Sequence, residues 1–313
     1  MVLKRKDLLG LKDLSKEELE LILDTADSLK EFATRKYKKL PTLKGVSMIN
    51  MFYEPSTRTR ASFELAGKYL GADTVNINSS ASSVVKGESL VDTGKTLEAL
   101  GVNIVVMRHP MAGSCKLLAD NVTSSIINAG DGTHEHPTQA LLDMMTIREQ
   151  LTSLKGKKVA IVGDIAHSRV AKSNIWGLTK LGAEVALSGP PTLLDHNKFT
   201  KLNVTCHHKV EDALKDVDVV MALRIQKERQ GTTLIPSLRE YARLYGITKE
   251  RLSLAKKDAL LLHPGPINRG IELTGEVADS LKSRINEQVT NGLAIRMALL
   301  YLLSGGEQNG NIA

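Results

Sequence analysis

Apolar and polar positions follow two different periods along this chain. Leu19, Ile22, Leu23, Ala26 and Leu29 recur at helical spacing behind Ser15 and Glu18, a capping-box pair, and predict a helix. Past Pro41 comes a run of another kind, Val46-Ser47-Met48-Ile49-Asn50-Met51-Phe52-Tyr53, which predicts a strand. A helix follows over about 56–70, stopped by Gly71. Strand patterns at 74–77, 102–107 and 125–128 then alternate with helical ones at 89–100, 114–121 and 137–150. A second series begins near Lys157. It holds a buried-strand pattern at 159–164, a helix over 168–181 stopped by Gly182, and strands at 184–187, 217–223 and 259–262. The last long helix is expected over about 279–303, before Gly305-Gly306 and a frayed tail. Strands alternating with helices predict an α/β chain of two tandem domains, joined near residue 150. Each is a mainly parallel sheet flanked by helices.

Length and composition agree with that picture and remove alternatives. A chain of 313 residues suggests two domains at about 150 residues each. A hydrophobic fraction of 42% with 25% charged residues excludes collagen, coiled coil and wholesale disorder. No apolar run approaches the roughly 18 residues of a membrane helix, and the first seven residues lack the apolar core of a secretory signal. Cys115 and Cys206 are too few for a disulfide framework or a four-cysteine zinc site, so a cytoplasmic location is expected. The net charge of +7 calls for anionic ligands. Aromatics at 4% leave little stacking surface for nucleic acid, and no nucleic-acid or membrane partner is expected. The basic clusters at 4–6 and 35–39 read as solvated faces.

In open α/β sheets, ligands bind beyond the carboxyl ends of the strands. After the first strand stands Glu54-Pro55-Ser56-Thr57-Arg58-Thr59-Arg60. Amides at a helix start, with hydroxyls and a guanidinium, make a phosphate cradle, although an ordinary serine cap explains the same residues. The Walker spacing and the Rossmann glycine fingerprint are both missing. Later strand ends carry Arg108-His109-Pro110 and Asp131-Gly132-Thr133-His134-Glu135-His136-Pro137-Thr138-Gln139. His134 and His136 do not share a helix face and have no obvious third ligand, so no metal is expected. The second series offers Gly163-Asp164-Ile165-Ala166-His167-Ser168-Arg169, then Arg224-Ile225-Gln226-Lys227-Glu228-Arg229, then His263-Pro264-Gly265-Pro266. Arg58, Arg108, Arg169 and Arg224 all stand at strand ends, a pattern suited to an anion with several charged groups.

In this combination the chain resembles the catalytic chains of the aspartate carbamoyltransferases, also called aspartate transcarbamylases, over nearly its whole length. Ser56-Thr57-Arg58-Thr59-Arg60 is similar to the carbamoyl-phosphate signature of all carbamoyltransferases. The 224–229 and 263–266 segments are similar to the aspartate-specific part. The resemblance implies transfer of the carbamoyl group of carbamoyl phosphate to the amine of L-aspartate, early in pyrimidine biosynthesis, without cofactor or metal. It implies that residues 1–147, completed by a helix at 285–313, bind carbamoyl phosphate and that 148–284 bind aspartate. Ser56, Thr57, Arg58 and Thr59 would hold the phosphate, and Arg108, His136 and Thr59 the carbonyl oxygen. Gln139 and the carbonyls of Pro264 and Gly265 would hold the carbamoyl amine. Lys86, Arg108, Arg169, Arg224, Gln226, Gly265 and Pro266 would meet aspartate. Ser82 and Lys86 would reach a neighbouring subunit's site, which implies a homotrimer with shared active sites. Glu54 would pair with Arg169 and Arg229 as the domains close. Gly265-Pro266 is a candidate cis peptide. Some relatives add a regulatory chain or dihydroorotase, and the sequence leaves both open.

Overall fold

The computed structural model describes residues 3–78, 87–194, 199, 202–225 and 234–305. The chain opens with α1 (Lys16–Thr34), whose Ser15 hydroxyl accepts from the Glu18 amide while the Glu18 carboxylate accepts from the Ser15 amide. Both halves of the expected capping box are therefore formed. Next come β1 (Ser47–Phe52), α2 (Thr57–Leu70) and β2 (Asp73–Asn78), then α3 (Leu90–Ala99) and β3 (Ile104–His109). This series ends with α4 (Ser114–Ala119), β4 (Ser125–Asp131) and α5 (Pro137–Leu151). Gly71 ends α2 at φ 84°, the left-handed conformation that lets the chain turn straight into β2.

A second series follows: β5 (Lys158–Val162), α6 (Arg169–Lys180), β6 (Glu184–Ser188), β7 (Val204–His207) and α7 (Val210–Leu214). It continues through β8 (Val219–Ala222), α8 (Leu238–Tyr245), α9 (Lys249–Leu252), β9 (Leu260–Leu262), α10 (Gly275–Ala278) and α11 (Ile285–Leu303). The described pairs of both sheets are parallel, with strand orders β2-β1-β3-β4 and β7-β6-β5-β8-β9. The inner strands are buried at almost every position, because helices cover both faces of a parallel sheet.

The chain divides into two compact units, Met1–Leu141 with Val289–Ala313, and Leu142–Gln288. The division falls inside α5 and inside α11. One core gathers Ile49, Met51, Leu97, Val105, Met107, Leu118 and Ile126. Another gathers Val162, Val220, Ala222, Leu261, Ile247 and Tyr241. In the first unit, the segment before α1 lies along β4, with Leu8 bridging Ile127. The Lys6 ammonium donates to the carbonyls of Ala119, Val122 and Ser124.

Several elements depart from expectation. The last helix starts at Ile285 rather than near 279, because 280–284 does other work. Ser283 bridges Leu261 in parallel, with the Leu261 amide on the Lys282 carbonyl and the Arg284 amide on the Leu261 carbonyl. β7 was not expected at all, nor were the short helices α7 to α10. The tail after 305 lies outside the described residues. No helix among them is long and apolar enough to cross a membrane.

Candidate active site

The strand order of the first unit fixes where a ligand can sit. β1 leads to β2 on one side while β3 lies on the other, so the crevice opens beyond the carboxyl ends of β1 and β3. Glu54 and Ser56 follow β1 there, and Arg108 stands near the end of β3. The Arg108 guanidinium donates through Nε to Glu54 Oε2 at 3.1 Å and through Nη1 to Ser56 Oγ at 3.4 Å. The two charged side chains are only 16% and 20% exposed, so their attraction is little screened.

Ser56 occupies the N-cap position of α2, yet its hydroxyl makes no capping hydrogen bond. The serines that cap other helices behave differently. Ser15, Ser89, Ser168 and Ser237 each accept from the third amide of their helix. The ordinary-cap explanation of the segment therefore fails at Ser56, whose oxygen faces Arg108 instead. An α-helix leaves its first amides without intrahelical acceptors, and its N-terminus favours an anion. Thr57 and Arg58 are exposed on this first turn and Thr59 is buried.

Beyond β4 the chain turns back into α5. Asp131, 1% exposed, collects donors from the Gly113 amide at 2.8 Å, Asn128 Nδ2 at 2.7 Å and the Glu135 amide at 3.2 Å. The His134 ring nitrogen Nδ1 lies 3.1 Å away. Burial alone would raise the Asp131 pKa, but the hydrogen bonds from His134 and Asn128 overcome it and hold the carboxyl below its ordinary value. One carboxylate thus joins the loop after β3 to the turn that delivers His136. The imidazole of His136 is buried at the mouth of α5, and Gln139 is half-buried one turn on. The three residues that looked like a metal motif go separate ways. His134 meets Asp131, the Glu135 carboxylate takes the Leu11 amide at 2.7 Å, and His136 heads the helix. Among the described residues no group of three or more histidine, cysteine, aspartate or glutamate side chains is placed to hold a metal ion.

The second unit repeats the logic. β5 leads to β6 and β7 on one side, and β8 and β9 lie on the other, so its crevice is beyond β5 and β8. Asp164 and Arg169 follow β5, and Arg224 follows β8. Arg169 is 2% exposed on the first turn of α6, where the Ser168 hydroxyl accepts from the Ala171 amide. Asp164 is fully buried and accepts from the His167 amide at 3.1 Å, with His167 Nδ1 2.9 Å away. Arg224 is half-buried. After β9, the Gly265 amide donates to His263 Nδ1 at 2.8 Å, and the Gly265-Pro266 bond is cis, as expected.

Within the first unit the structure brings together Glu54, Ser56 and Arg108. Arg169, Arg224, Pro264 and Gly265 stand at strand ends of the second. Ser82, Lys86, Gln226 and Arg229 lie outside the described residues. Sequence patterning alone points to no role for Asp131, Asp164 or Glu272. Asp131 and Asp164 each follow a glycine at the end of a buried strand, and Glu272 sits between Ile271 and Leu273. An acid inside an apolar run is the signal that marks such groups.

Two family models match the chain. "Aspartate/ornithine carbamoyltransferase, carbamoyl-P binding domain" matches residues 6–149, and "Aspartate/ornithine carbamoyltransferase, Asp/Orn binding domain" matches residues 155–303. The aspartate carbamoyltransferase catalytic subunit of Natranaerobius thermophilus is 72% identical over the full length of both chains. That of Desulforamulus reducens is 62% identical over 98% of each. Among solved structures, ornithine carbamoyltransferase from Pyrococcus furiosus is 32% identical with a TM-score of 0.89, covering 98% of this chain and 99% of its own. Aspartate transcarbamoylase from Trypanosoma cruzi, in complex with carbamoyl aspartate and phosphate, is 29% identical with a TM-score of 0.85, over 95% of each chain.

Proposed function

This chain belongs to the aspartate/ornithine carbamoyltransferase family, and from that premise we propose the part each strand-end residue plays. The reaction is transfer of the carbamoyl group of carbamoyl phosphate to the amine of L-aspartate, giving N-carbamoyl-L-aspartate and phosphate, a step of pyrimidine biosynthesis. The fold does not choose between acceptors, since an ornithine enzyme shares it. The residues do. A cationic acceptor side chain would be repelled by Arg224, whereas the β-carboxylate of aspartate pairs with it.

The first unit holds carbamoyl phosphate. Its phosphate lies on the first turn of α2, against Ser56, Thr57, Arg58 and Thr59. Arg108, Thr59 and His136 donate to the carbonyl oxygen, and Gln139 with the carbonyls of Pro264 and Gly265 takes the carbamoyl amine. The second unit holds aspartate, its α-carboxylate on Arg169 and its β-carboxylate on Arg224 and Gln226. The neutral amine attacks the carbamoyl carbon and the new C–N bond forms. Negative charge builds on the carbonyl oxygen, where the three donors stabilise it in the manner of an oxyanion hole. The C–O bond to phosphate then breaks, and a phosphate oxygen carries away the amine proton. No nucleophilic side chain and no cofactor is needed, because most of the acceleration comes from holding two mutually repelling anions in place. Ser82 and Lys86 act in a neighbouring subunit's site, so the working form is a homotrimer in the cytoplasm.

The observation that carries this reading is Ser56, whose hydroxyl faces Arg108 instead of capping its own helix. The test is steady-state kinetics with aspartate and ornithine as alternative acceptors, on the parent and on Arg58→Ala. Turnover is expected with aspartate alone. Arg58→Ala is expected to lose at least about a hundredfold in kcat/KM for carbamoyl phosphate, with the circular dichroism of the parent retained. A folded variant within about tenfold of the parent would remove Arg58 from the site.

A further inference from the structure

We propose that Glu272 is a positioning residue for the acceptor, setting where Arg224 stands. Glu272 is 1% exposed and lies in the loop after β9. Its carboxylate receives three hydrogen bonds. Oε1 accepts from the Ile225 amide at 3.1 Å and from Asn268 Nδ2 at 2.7 Å, and Oε2 accepts from the Asn268 amide at 2.8 Å. Ile225 immediately follows Arg224, and its own side chain is buried in the core of the unit. One buried carboxylate therefore fastens the chain leaving β8 to the segment that carries Pro264 and Gly265.

The backbone of Glu272 is fixed from the other side. Its carbonyl accepts from the Ile247 amide at 2.9 Å, and Ile247 bridges Leu273 in parallel. The carboxylate is thus referred to the rigid body of the unit and not to a free loop. Burying a carboxylate is costly unless donors surround it, and three N–H groups meet that requirement here. The bond from the Ile225 amide ties the Arg224 backbone to the carboxylate, and the two bonds from Asn268 fix the carboxylate itself, within the tolerance that charge-assisted, two-point recognition of a carboxylate demands. Neither segment holds the other by sequence proximity.

Glutamine keeps the shape of Glu272 but replaces one oxygen with NH2. Whichever oxygen is replaced, at least one N–H donor then faces another donor. The inference rests on Arg224 meeting the acceptor's β-carboxylate, so Arg224→Ala is measured alongside. Glu272→Gln is expected to raise the aspartate KM about tenfold and the KM for carbamoyl phosphate by a smaller factor, since the phosphate cradle belongs to the first unit and only the 264–265 carbonyls lie on the segment that Glu272 anchors. Asn268→Ala removes one of the three bonds and should raise the aspartate KM by about threefold, and it serves if Glu272→Gln does not fold. Glu272→Asp, which keeps the charge but shortens the reach, should recover part of the affinity relative to glutamine. A purely structural carboxylate would lower the melting temperature without moving KM. Unchanged aspartate KM in folded Glu272→Gln or Asn268→Ala, beside a raised value in Arg224→Ala, overturns the role of Glu272 alone. Unchanged KM in Arg224→Ala overturns the acceptor assignment, and Glu272 falls with it.

Discussion

Ser15 and Ser56 hold the same position relative to their helices and have opposite roles. Ser15→Ala removes a formed cap and is expected to cost about 1 kcal/mol by denaturant titration. Ser56→Ala removes no cap, so stability should stay within about 0.5 kcal/mol while kcat/KM for carbamoyl phosphate falls at least about tenfold. Equal stability losses at the two positions would return Ser56 to an ordinary cap. The titratable groups of the first unit give a second expectation. Burial holds the His109 pKa below its ordinary 6.5, and its Nδ1 accepts from the Met111 amide at 3.0 Å. Its depressed folded pKa means that the unfolded chain takes up that proton first, so stability falls as pH drops below about 6.5. The Asp131 carboxyl is also held low, so its contribution is present above its ordinary value of 3.8 and is lost as pH falls through the folded value. Denaturation midpoints followed downward from about pH 7.5 should show two successive declines, and His109→Gln should remove the first. At this scale Arg58, Arg108, Arg169 and Arg224 were legible in the sequence because charge at a strand end is conspicuous. For Asp131 and Glu272 an acid beside apolar residues marks burial, but not that one gathers the Gly113 amide and the other the Ile225 amide.

Among the elements, legibility followed burial. β1, β5 and β8 announce themselves as apolar runs because both their faces are covered. β7, Val-Thr-Cys-His, is an edge strand with one neighbour and no fully buried position, and nothing in four such residues separates a strand from a loop. The misplaced start of α11 has the same kind of cause. Periodicity reports which residues favour a helix, but not that the Leu261 amide and carbonyl already claim 282 and 284. From Ala294 onward α11 is apolar and buried nearly all round, apart from Arg296, whose guanidinium stacks 5.2 Å from the Phe63 ring and donates to the Gly292 carbonyl. Burial pushes the Arg296 pKa down to about 10. Leu300→Ala in this helix opens a fully enclosed cavity and is expected to cost about 2–5 kcal/mol, read as a shift of denaturant midpoint at constant slope.

For the molecule as a whole, the proposed trimer with shared sites makes the sharpest demand. Under that proposal Arg58→Ala should disable a chain's own phosphate cradle, and Lys86→Ala should disable what it lends to a neighbour. Mixing the two inactive proteins after mild dissociation should restore part of the activity, and hybrid trimers verified by native mass spectrometry without any recovery would place Lys86 in its own subunit's site. The path of the chain carries a further consequence, for synthesis. The first unit is begun with β1 to β4 but includes α11 from Val289 onward, and the whole of Leu142–Gln288 is made in between. At roughly 5–20 residues per second, the strands of the first unit leave the ribosome on the order of ten seconds before the helix that finishes their unit. The later-begun unit is complete first. A message cut short near residue 290 would release a finished second unit beside a first unit still lacking Leu299, Leu300 and their neighbours, with the apolar surface they cover open to chaperones and proteases.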